Sequence, residues 1–266
     1  MTDLTVLPAQ DLLHGPAAPQ AFANRLRGPG TGRALVAFPG SDHQLNRELS
    51  LGLLSALGTV LSLYPATGCW SSLEVRTEAD PGRTHGTGEN QLHIDLVDRD
   101  RSPRYIALYC ERDDPAGGGA SALADLWAAA AELDHGDREL LQRPLFHYWT
   151  DEGVHGVGEP LERFAVLPER LEWGLPVRFT SKMLPHLERG QLADGADPQK
   201  ITSAFRALMD AACRHRDQVR LAPGQLLVFD QLRWAHGRMP LGDGQAQIPS
   251  SRRRLLRQTY VQGSAR

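Results

Sequence analysis

Short apolar runs dominate the chain, and most of them have the length and the residue types of β-strands. They are rich in Leu, Val, Ile and Tyr and are bounded by Gly, Pro, Asp and Ser, as is typical of strands that end in turns. The pattern predicts strands over residues 34–38, 73–77, 92–97, 105–110, 145–149, 224–229 and 255–261.

Three other segments show a helical pattern. Residues 46–57 are Leu-rich, residues 121–133 are Ala-rich with Ser121 available as a cap, and residues 198–215 carry apolar side chains at helical spacing. The strands do not alternate regularly with these helices, which disfavours a doubly wound parallel sheet. We therefore expect a mainly β fold with flanking helices, built on a double-stranded β-helix (jelly-roll) core.

Composition and length fit one globular domain. The 266 residues are 41% hydrophobic and 23% charged, which is ordinary for such a domain. We expect a single domain over residues 1–266, with a cover of helices and strands over about 1–70 and the jelly-roll core over about 71–263. The Gly/Pro-rich segments, such as residues 28–32, are predicted to be turns rather than linkers.

Charge, hydropathy and cysteine content limit the cellular locations and the classes of binding partner that the sequence allows. The net charge is −3, from 29 basic and 32 acidic residues, so no overall field attracts nucleic acid or an anionic membrane. No apolar run approaches the roughly 20 residues that cross a bilayer, and the three cysteines form no CxxC pair. We expect a cytoplasmic protein whose partner is a small molecule; a homo-oligomer is compatible with the sequence.

The triplet His93-Ile94-Asp95 is the most informative candidate for chemistry. In a strand, side chains two residues apart lie on the same face, so His93 and Asp95 point together while Leu92, Ile94 and Leu96 face the other side. Gln91 shares the face of His93 and is a candidate substrate contact or a hydrogen-bonding residue of the strand. A lone HxD triplet arises often by chance, and most histidines are structural.

A second histidine strengthens the metal interpretation. Segment 226–238 runs from an apolar strand into a polar turn and delivers His236 near the start of the next strand. Two histidines and one carboxylate form a facial triad, which leaves one side of an octahedral iron open for an oxidant and a co-substrate. The sequence therefore predicts a metal site made by His93, Asp95 and His236.

An arginine-rich segment near the C-terminus offers an anion site. In the predicted strand, Arg253, Leu255, Arg257, Thr259 and Val261 lie on one face. If this face is inward, the two guanidinium groups are partly desolvated and need anionic partners. The alternative is a solvent-exposed basic edge, which protects a sheet against aggregation.

The order of these motifs resembles that of a known superfamily. HxD is followed by Gly118-Gly119-Ala120-Ser121, then by Asp230 and, six residues on, His236-Gly237-Arg238, and finally by Arg-x-x-x-Arg-x-Thr from Arg253. This order is similar to that of the taurine dioxygenase and clavaminate synthase-like Fe(II)/2-oxoglutarate oxygenases, over about residues 34–263.

The resemblance implies a role for each matched residue. His93, Asp95 and His236 match the iron ligands, Arg253 matches the arginine that binds the distal carboxylate of 2-oxoglutarate, and Ser121 matches the hydroxyl residue that assists it. Arg257 matches a position that contacts an acidic group of the primary substrate in several members. Gln231 stands where many relatives have asparagine, a change expected to affect the turn more than the chemistry.

The implied reaction uses Fe(II), 2-oxoglutarate and O2 to hydroxylate or otherwise oxidise a small molecule, with release of succinate and CO2. Halogenating relatives replace the carboxylate ligand by a small residue, so Asp95 favours hydroxylation. A tailoring step in bacterial natural-product or antibiotic biosynthesis is the expected context, with substrate selectivity in loops 150–162 and 178–198.

Three alternatives stay open at this point. One is a 2-oxoglutarate-dependent desaturase or cyclase, and another is a non-catalytic jelly-roll that binds a small anion. The third is a zinc-occupied relative without oxygenase activity. A serine hydrolase is disfavoured because the sequence has no GxSxG elbow, and residues 28–32 lack the lysine of a phosphate-binding loop.

Overall fold

A computed structural model of the chain describes residues 4–13, 18–27, 31–148 and 154–263. The described residues form eleven strands and eight α-helices. The strands are β1 (Val6–Pro8), β2 (Arg33–Ala37), β3 (Gly58–Leu61), β4 (Ser71–Glu74), β5 (Asn90–His93), β6 (Tyr105–Arg112), β7 (Ser121–Asp125), β8 (Arg216–Val219), β9 (Gln225–Asp230), β10 (Trp234–Arg238) and β11 (Leu255–Gly263). The helices are α1 (Ala9–Leu13), α2 (Ala18–Leu26), α3 (His43–Ser55), α4 (Gly82–His85), α5 (Leu126–Ala131), α6 (His135–Leu141), α7 (Leu184–Leu187) and α8 (Pro198–Arg214).

The strands of the described chain make two sheets. The larger sheet has the order β1-β2-β9-β6-β11-β3, with β4 also paired to β11, and the smaller sheet has the order β5-β10-β7-β8. Strands β1 and β2 run parallel, and the other pairs are antiparallel. Strands far apart in the chain therefore lie side by side, which brings the sequence motifs together.

Apolar side chains pack in three layers. The middle layer joins the two sheets, because it contains Leu227 and Leu256 of the larger sheet together with Leu123 and Trp234 of the smaller one. A second layer packs α1, α2 and α3 on the outer face of the larger sheet. The third packs α5, α6, α7 and α8 on the outer face of the smaller sheet. The predicted sheet-rich fold with flanking helices is confirmed.

Two of the three predicted helices form close to their expected bounds. Helix α3 begins after Asp42 and α8 after Asp197, and each of these carboxylates accepts a hydrogen bond from a backbone N–H of the first turn. The prediction for residues 121–133 is wrong over its first half, where the chain forms the buried strand β7. Asp125 rather than Ser121 caps the helix that follows, because small Ala-rich segments fit a buried strand as well as a helix.

Most predicted strands are present. Strands β2, β4, β6, β9 and β11 overlap the expected segments, whereas the strand predicted over 92–97 ends at His93. In segment 145–149, Phe146 makes only isolated bridges with Phe164 and Ala193, and residue 149 lies outside the described residues, as do residues 28–30. Within the described ranges, none of the helices combines the length and the apolar character of a membrane span.

The first seventy residues contribute to the larger sheet as well as covering it. Strands β1, β2 and β3 belong to that sheet, and α1, α2 and α3 pack on its outer face. The division of the domain near residue 70 stays a prediction.

Candidate metal centre

A cavity of about 710 Å³ opens among residues of both sheets. The smaller sheet contributes His93 from β5 and His236 from β10, and the larger sheet contributes residues of β11. Asp95 reaches the cavity from the segment that follows β5. All three predicted metal ligands therefore line one cavity.

Pairing of β5 with β10 brings the two histidines together. His236 and His93 are direct partners in the antiparallel register, and their ring centroids are 4.3 Å apart. The close approach depends on Gly237, where a Cβ atom would lie 2.5 Å from the carbonyl oxygen of Asn90. The glycine of the His-Gly-Arg motif is thus explained by strand packing.

Asp95 is placed by a bend rather than by strand alternation. Ile94 donates its N–H to the carbonyl of Phe179, and Leu96 has a positive φ of 57°, a left-handed conformation that bulky residues rarely adopt. Leu96 consequently lines the cavity instead of facing away from it. The predicted proximity of Asp95 to His93 is correct, but its cause differs from the one that the sequence suggested.

The three donor groups have the spacing of a metal site. Asp95 Oδ1 lies 3.4 Å from His93 Nε2, Asp95 Oδ2 lies 3.7 Å from His236 Nε2, and the potential ligand atoms all fall within 4.8 Å of one another. Ligands bound at about 2.1 Å and at right angles are about 3.0 Å apart. The triad therefore fits a divalent ion such as iron(II), which His93, Asp95 and His236 would hold beside the cavity.

Protonation states also suit metal binding. Burial and the nearby His93 lower the pKa of His236 to about 3, against the opposing charge of Asp95. Burial raises the pKa of Asp95, but His236, His93 and the hydroxyl of Tyr260 together hold that pKa below its ordinary value. At neutral pH the site therefore offers a neutral imidazole at His236 and an ionised carboxylate at Asp95, the forms that bind metal.

Neighbouring groups fix the orientation of His93 and Asp95, two of the three ligands. His93 Nδ1 donates to the carbonyl of Gln91 at 2.7 Å, which leaves the Nε2 lone pair for a metal. The hydroxyl of Tyr260 donates to Asp95 Oδ2 at 2.8 Å, and Gln258 Nε2 lies 3.2 Å from the same oxygen. Sequence reasoning missed both residues of β11.

Gln231 has a larger role than the sequence suggested. This fully buried side chain accepts the backbone N–H of Asp95 at 2.9 Å and donates to the carbonyl of Pro103 at 2.6 Å. It therefore ties the turn between β9 and β10 to the backbone of a metal ligand. An asparagine, one methylene shorter, would have to reach these two partners from a different backbone position.

Arg254, not Arg253, faces the cavity. Arg254 is buried and lines the cavity together with Leu256, Gln258 and Tyr260, which are the alternate residues of β11. Arg253 is partly buried outside the cavity lining, and its Nε donates to the carbonyl of Ile248 at 2.8 Å. The predicted alternation of β11 was right, but the opposite face of the strand is the inward one.

The Gly-Gly-Ala-Ser motif supports Arg254. Gly119 has a φ of +70°, and a Cβ atom there would lie 3.0 Å from Arg254 Cδ and 2.6 Å from a methyl of Leu241. Ser121, two residues on, is buried and lines the same cavity. Asp114 holds the loop by accepting backbone N–H groups of Gly118 and Gly242 at 3.0 and 2.7 Å.

The two residues predicted to bind substrate lie elsewhere. Gln91 is exposed outside the cavity lining, and its side chain accepts a long hydrogen bond from Arg83. Arg257 points to the opposite face of the larger sheet, where its Nε donates to Glu111 at 2.8 Å and its Nη1 to Ser72. Glu111 also pairs with Arg47, so Arg257 already has an anionic partner.

Comparisons with known proteins agree with this geometry. Residues 32–260 match the family described as "Taurine catabolism dioxygenase TauD, TfdA family". A uridine-5'-phosphate dioxygenase of Amycolatopsis sp. is 29% identical over 202 residues; the match covers 70% of this chain and 66% of that relative, just under two thirds of its length.

Solved structures share the fold. Asparagine oxygenase in complex with Fe(II), 3-hydroxyasparagine and succinate superposes with a TM-score of 0.75 at 17% identity, covering 93% of this chain and 80% of that one. The non-heme iron oxygenase OrfP with Fe and α-ketoglutaric acid gives 0.70 at 15% identity, with 96% and 84% covered. The family match supports the predicted class, an iron- and 2-oxoglutarate-dependent dioxygenase, and the solved neighbours share its fold. The chain therefore belongs to the TauD/TfdA family, as its motifs predicted.

Proposed function

We propose that this protein is an Fe(II)/2-oxoglutarate-dependent dioxygenase that hydroxylates, or otherwise oxidises, a small molecule with release of succinate and CO2. The observation that carries the proposal is the convergence of His93, Asp95 and His236 in a cavity that also holds the buried Arg254. The proposal includes a double-stranded β-helix in a single domain, since the two sheets share one apolar layer. A cytoplasmic location, and the lack of nucleic-acid or membrane partners, stay predictions.

Iron bound by the triad would supply the oxidising power for C–H chemistry with O2 and 2-oxoglutarate. The protein's own residues hold and orient the ligands. Gln91 supplies the carbonyl that fixes the tautomer of His93, while Tyr260 and Gln258 restrain the carboxylate of Asp95. These contacts keep the donor atoms in position before substrate arrives.

We assign the distal carboxylate of 2-oxoglutarate to Arg254 and Ser121. Both are buried and line the cavity, and no hydrogen-bond acceptor for the Arg254 guanidinium occurs among residues that the structure describes. A planar guanidinium can bind a carboxylate through two charge-assisted hydrogen bonds. The assignment replaces the predicted role of Arg253, whose side chain is directed to Ile248.

The class of primary substrate is part of the proposal. The names of the relatives refer to uridine-5'-phosphate and asparagine, which favours a nucleotide or an amino acid as the substrate. A tailoring step in natural-product biosynthesis stays a prediction. Asp95 favours hydroxylation over halogenation, because halogenating relatives lack this carboxylate. Desaturation and cyclisation begin in the same way, and product analysis separates them from hydroxylation.

Anaerobic addition of Fe(II) and then 2-oxoglutarate tests the proposal. An oxygenase site should develop a visible charge-transfer band, and admission of O2 with a panel of nucleotides and amino acids should produce succinate. His236→Ala should abolish the band, whereas His135→Ala, which changes an exposed histidine of α6, should not. A non-catalytic anion-binding protein or a zinc protein would show no band with the wild-type chain.

A further inference from the structure

Positive charge dominates the described lining of the cavity. Its ionisable groups, with the histidines counted as neutral, are five cations and the single carboxylate of Asp95, a formal excess of four positive charges. The cations are Arg76, Arg83, Lys182, Arg238 and Arg254. The whole chain has a net charge of −3, so this excess is local. A ferrous ion and the dianion 2-oxoglutarate would cancel one another and leave it unchanged.

Two of the five cations already have roles. Arg254 is assigned to 2-oxoglutarate under the proposed function. Arg238 donates to the carbonyls of Gly86 and Gly88 at 2.6 and 2.5 Å and so holds the segment after α4 against β10. Those carbonyls are neutral, and together with the carbonyl of Thr84 they occupy both Nη groups of Arg238.

The other three cations have no ionic partner in the described part of the chain. Arg76 follows β4, Arg83 lies in α4, and Lys182 lies in the 3₁₀ turn Ser181–Met183. No described carboxylate forms an ion pair with any of them, and Arg83 contacts only the amide oxygen of Gln91, at 3.4 Å. What sets these three apart from other unpaired cations on the surface is that they line the same cavity as the metal triad.

Backbone contacts fix the two segments that carry these cavity-lining cations. The N–H of Arg76 donates to the carbonyl of His85 at 2.8 Å, which links the end of β4 to α4. Thr180, two residues before Lys182, bridges to His93. The cations therefore approach from two separate segments, one beyond β4 and one beside the metal ligands.

We propose that Arg76, Arg83 and Lys182 bind the phosphate of a phosphate-monoester substrate, and this inference rests on the proposed function. A phosphate monoester carries a charge of about −2 and three acceptor oxygens, which match two guanidinium forks and one ammonium. Tyr64, which is 38% exposed and lines the same cavity, offers a ring face for a planar group of the substrate. Arg257 matches the position that contacts substrate in several family members. It cannot bind this phosphate, because its guanidinium pairs with Glu111 on the other face of the sheet.

Calorimetry with matched ligands tests this proposal. The anaerobic protein loaded with Fe(II) and 2-oxoglutarate is titrated with uridine-5'-monophosphate, ribose 5-phosphate and uridine. We expect the two phosphates to bind at least tenfold more tightly than uridine, and the affinity for both to fall as the salt concentration rises.

Three variants test the individual cations. Arg76→Gln, Arg83→Gln and Lys182→Gln should each weaken nucleotide binding about tenfold, which is the effect of one charge-assisted hydrogen bond. The control Arg170→Gln changes an exposed arginine outside the cavity lining and should bind as the wild type does.

Three results would overturn the proposal: uridine binding as tightly as its phosphate, neither phosphate binding at all, or all three variants binding like the control. Circular dichroism and the 2-oxoglutarate band check that each variant is folded, and the salt dependence of the wild-type protein tests the charge requirement without any variant. Failure of the proposed function gives a different signature, since the wild-type band is then absent. In that case, titration of the metal-free protein with the same two phosphates still measures phosphate binding.

Discussion

Adjacent arginines provide a direct test of the site, because only one of them should matter for the co-substrate. Arg254→Met removes the charge that faces the cavity and keeps most of the apolar stem, and Arg253→Met makes the same change one residue earlier. The structure places the first guanidinium in the cavity lining and the second against the carbonyl of Ile248. The two variants should therefore behave differently.

The expected size of the effect follows from the burial of Arg254. Burial and the nearby Arg238 lower the pKa of Arg254 from 12.5 to about 10. At about 1.4 kcal/mol for each pKa unit, the charged guanidinium destabilises the folded protein by about 3 kcal/mol at pH 7. For a cation with a lowered pKa, this cost is present in full below about pH 10 and disappears as the pH rises towards the ordinary value.

Arg254→Met should thus stabilise the protein in the absence of 2-oxoglutarate, raising Tm by roughly 6–12 °C for a domain of this size. The same change removes two charge-assisted hydrogen bonds of roughly 2 kcal/mol each, so the affinity for 2-oxoglutarate should fall about a thousandfold. Thermal denaturation and titration of the charge-transfer band measure the two effects. Arg254 does not bind the co-substrate if Arg254→Met loses stability and keeps its 2-oxoglutarate affinity, or if Arg253→Met shows the larger loss of affinity.

Further predictions concern the groups around the metal ligands and the thiols. Tyr260→Phe removes the donor to Asp95 and should weaken Fe(II) binding by about tenfold to a hundredfold, measured by competition with a chelator; wild-type affinity would contradict the assigned contact. Gly119→Ala should lower the affinity for 2-oxoglutarate by displacing the guanidinium of Arg254. The control Gly190→Ala, at a positive φ with open space around it, should lower the free energy of unfolding and leave that affinity unchanged. Iodoacetamide should modify the exposed Cys213 in the native protein and spare Cys110, because burial raises the pKa of the Cys110 thiol to about 12; mass spectrometry of the labelled peptides decides this.

The metal triad could be predicted from the sequence because its residues are few, polar and held in strongly patterned segments. His93 and Asp95 are two residues apart, and His236 follows a clear apolar strand, so their proximity could be expected, although the bend that places Asp95 beyond the end of β5 could not. The anion-binding arginine was harder to identify. Alternation defines two faces of β11, but it does not say which face is inward, since both carry arginine and apolar side chains.

Residues whose roles depend on tertiary contacts were not predictable. Gln258 and Tyr260 resemble ordinary strand residues, and only the position of Asp95 across the cavity reveals what they hold. The buried strand β7 was assigned to a helix because its alanines fit either structure. Its strand conformation depends on pairing with β10 and β8, which lie on either side of it and come about one hundred residues later in the chain.

Strand β11 directs alternate side chains into the cavity and towards helix α3 on the other face of the sheet. This arrangement limits how the sequence of the strand can change. Substitutions at single positions alter one environment and leave the other in place. Loss or gain of one residue between Arg254 and Leu256 would reverse the alternation at this point, so that Arg254 would point towards helix α3 instead of into the cavity. Evolution along this strand should therefore proceed by replacement, with length changes confined to the turns at either end.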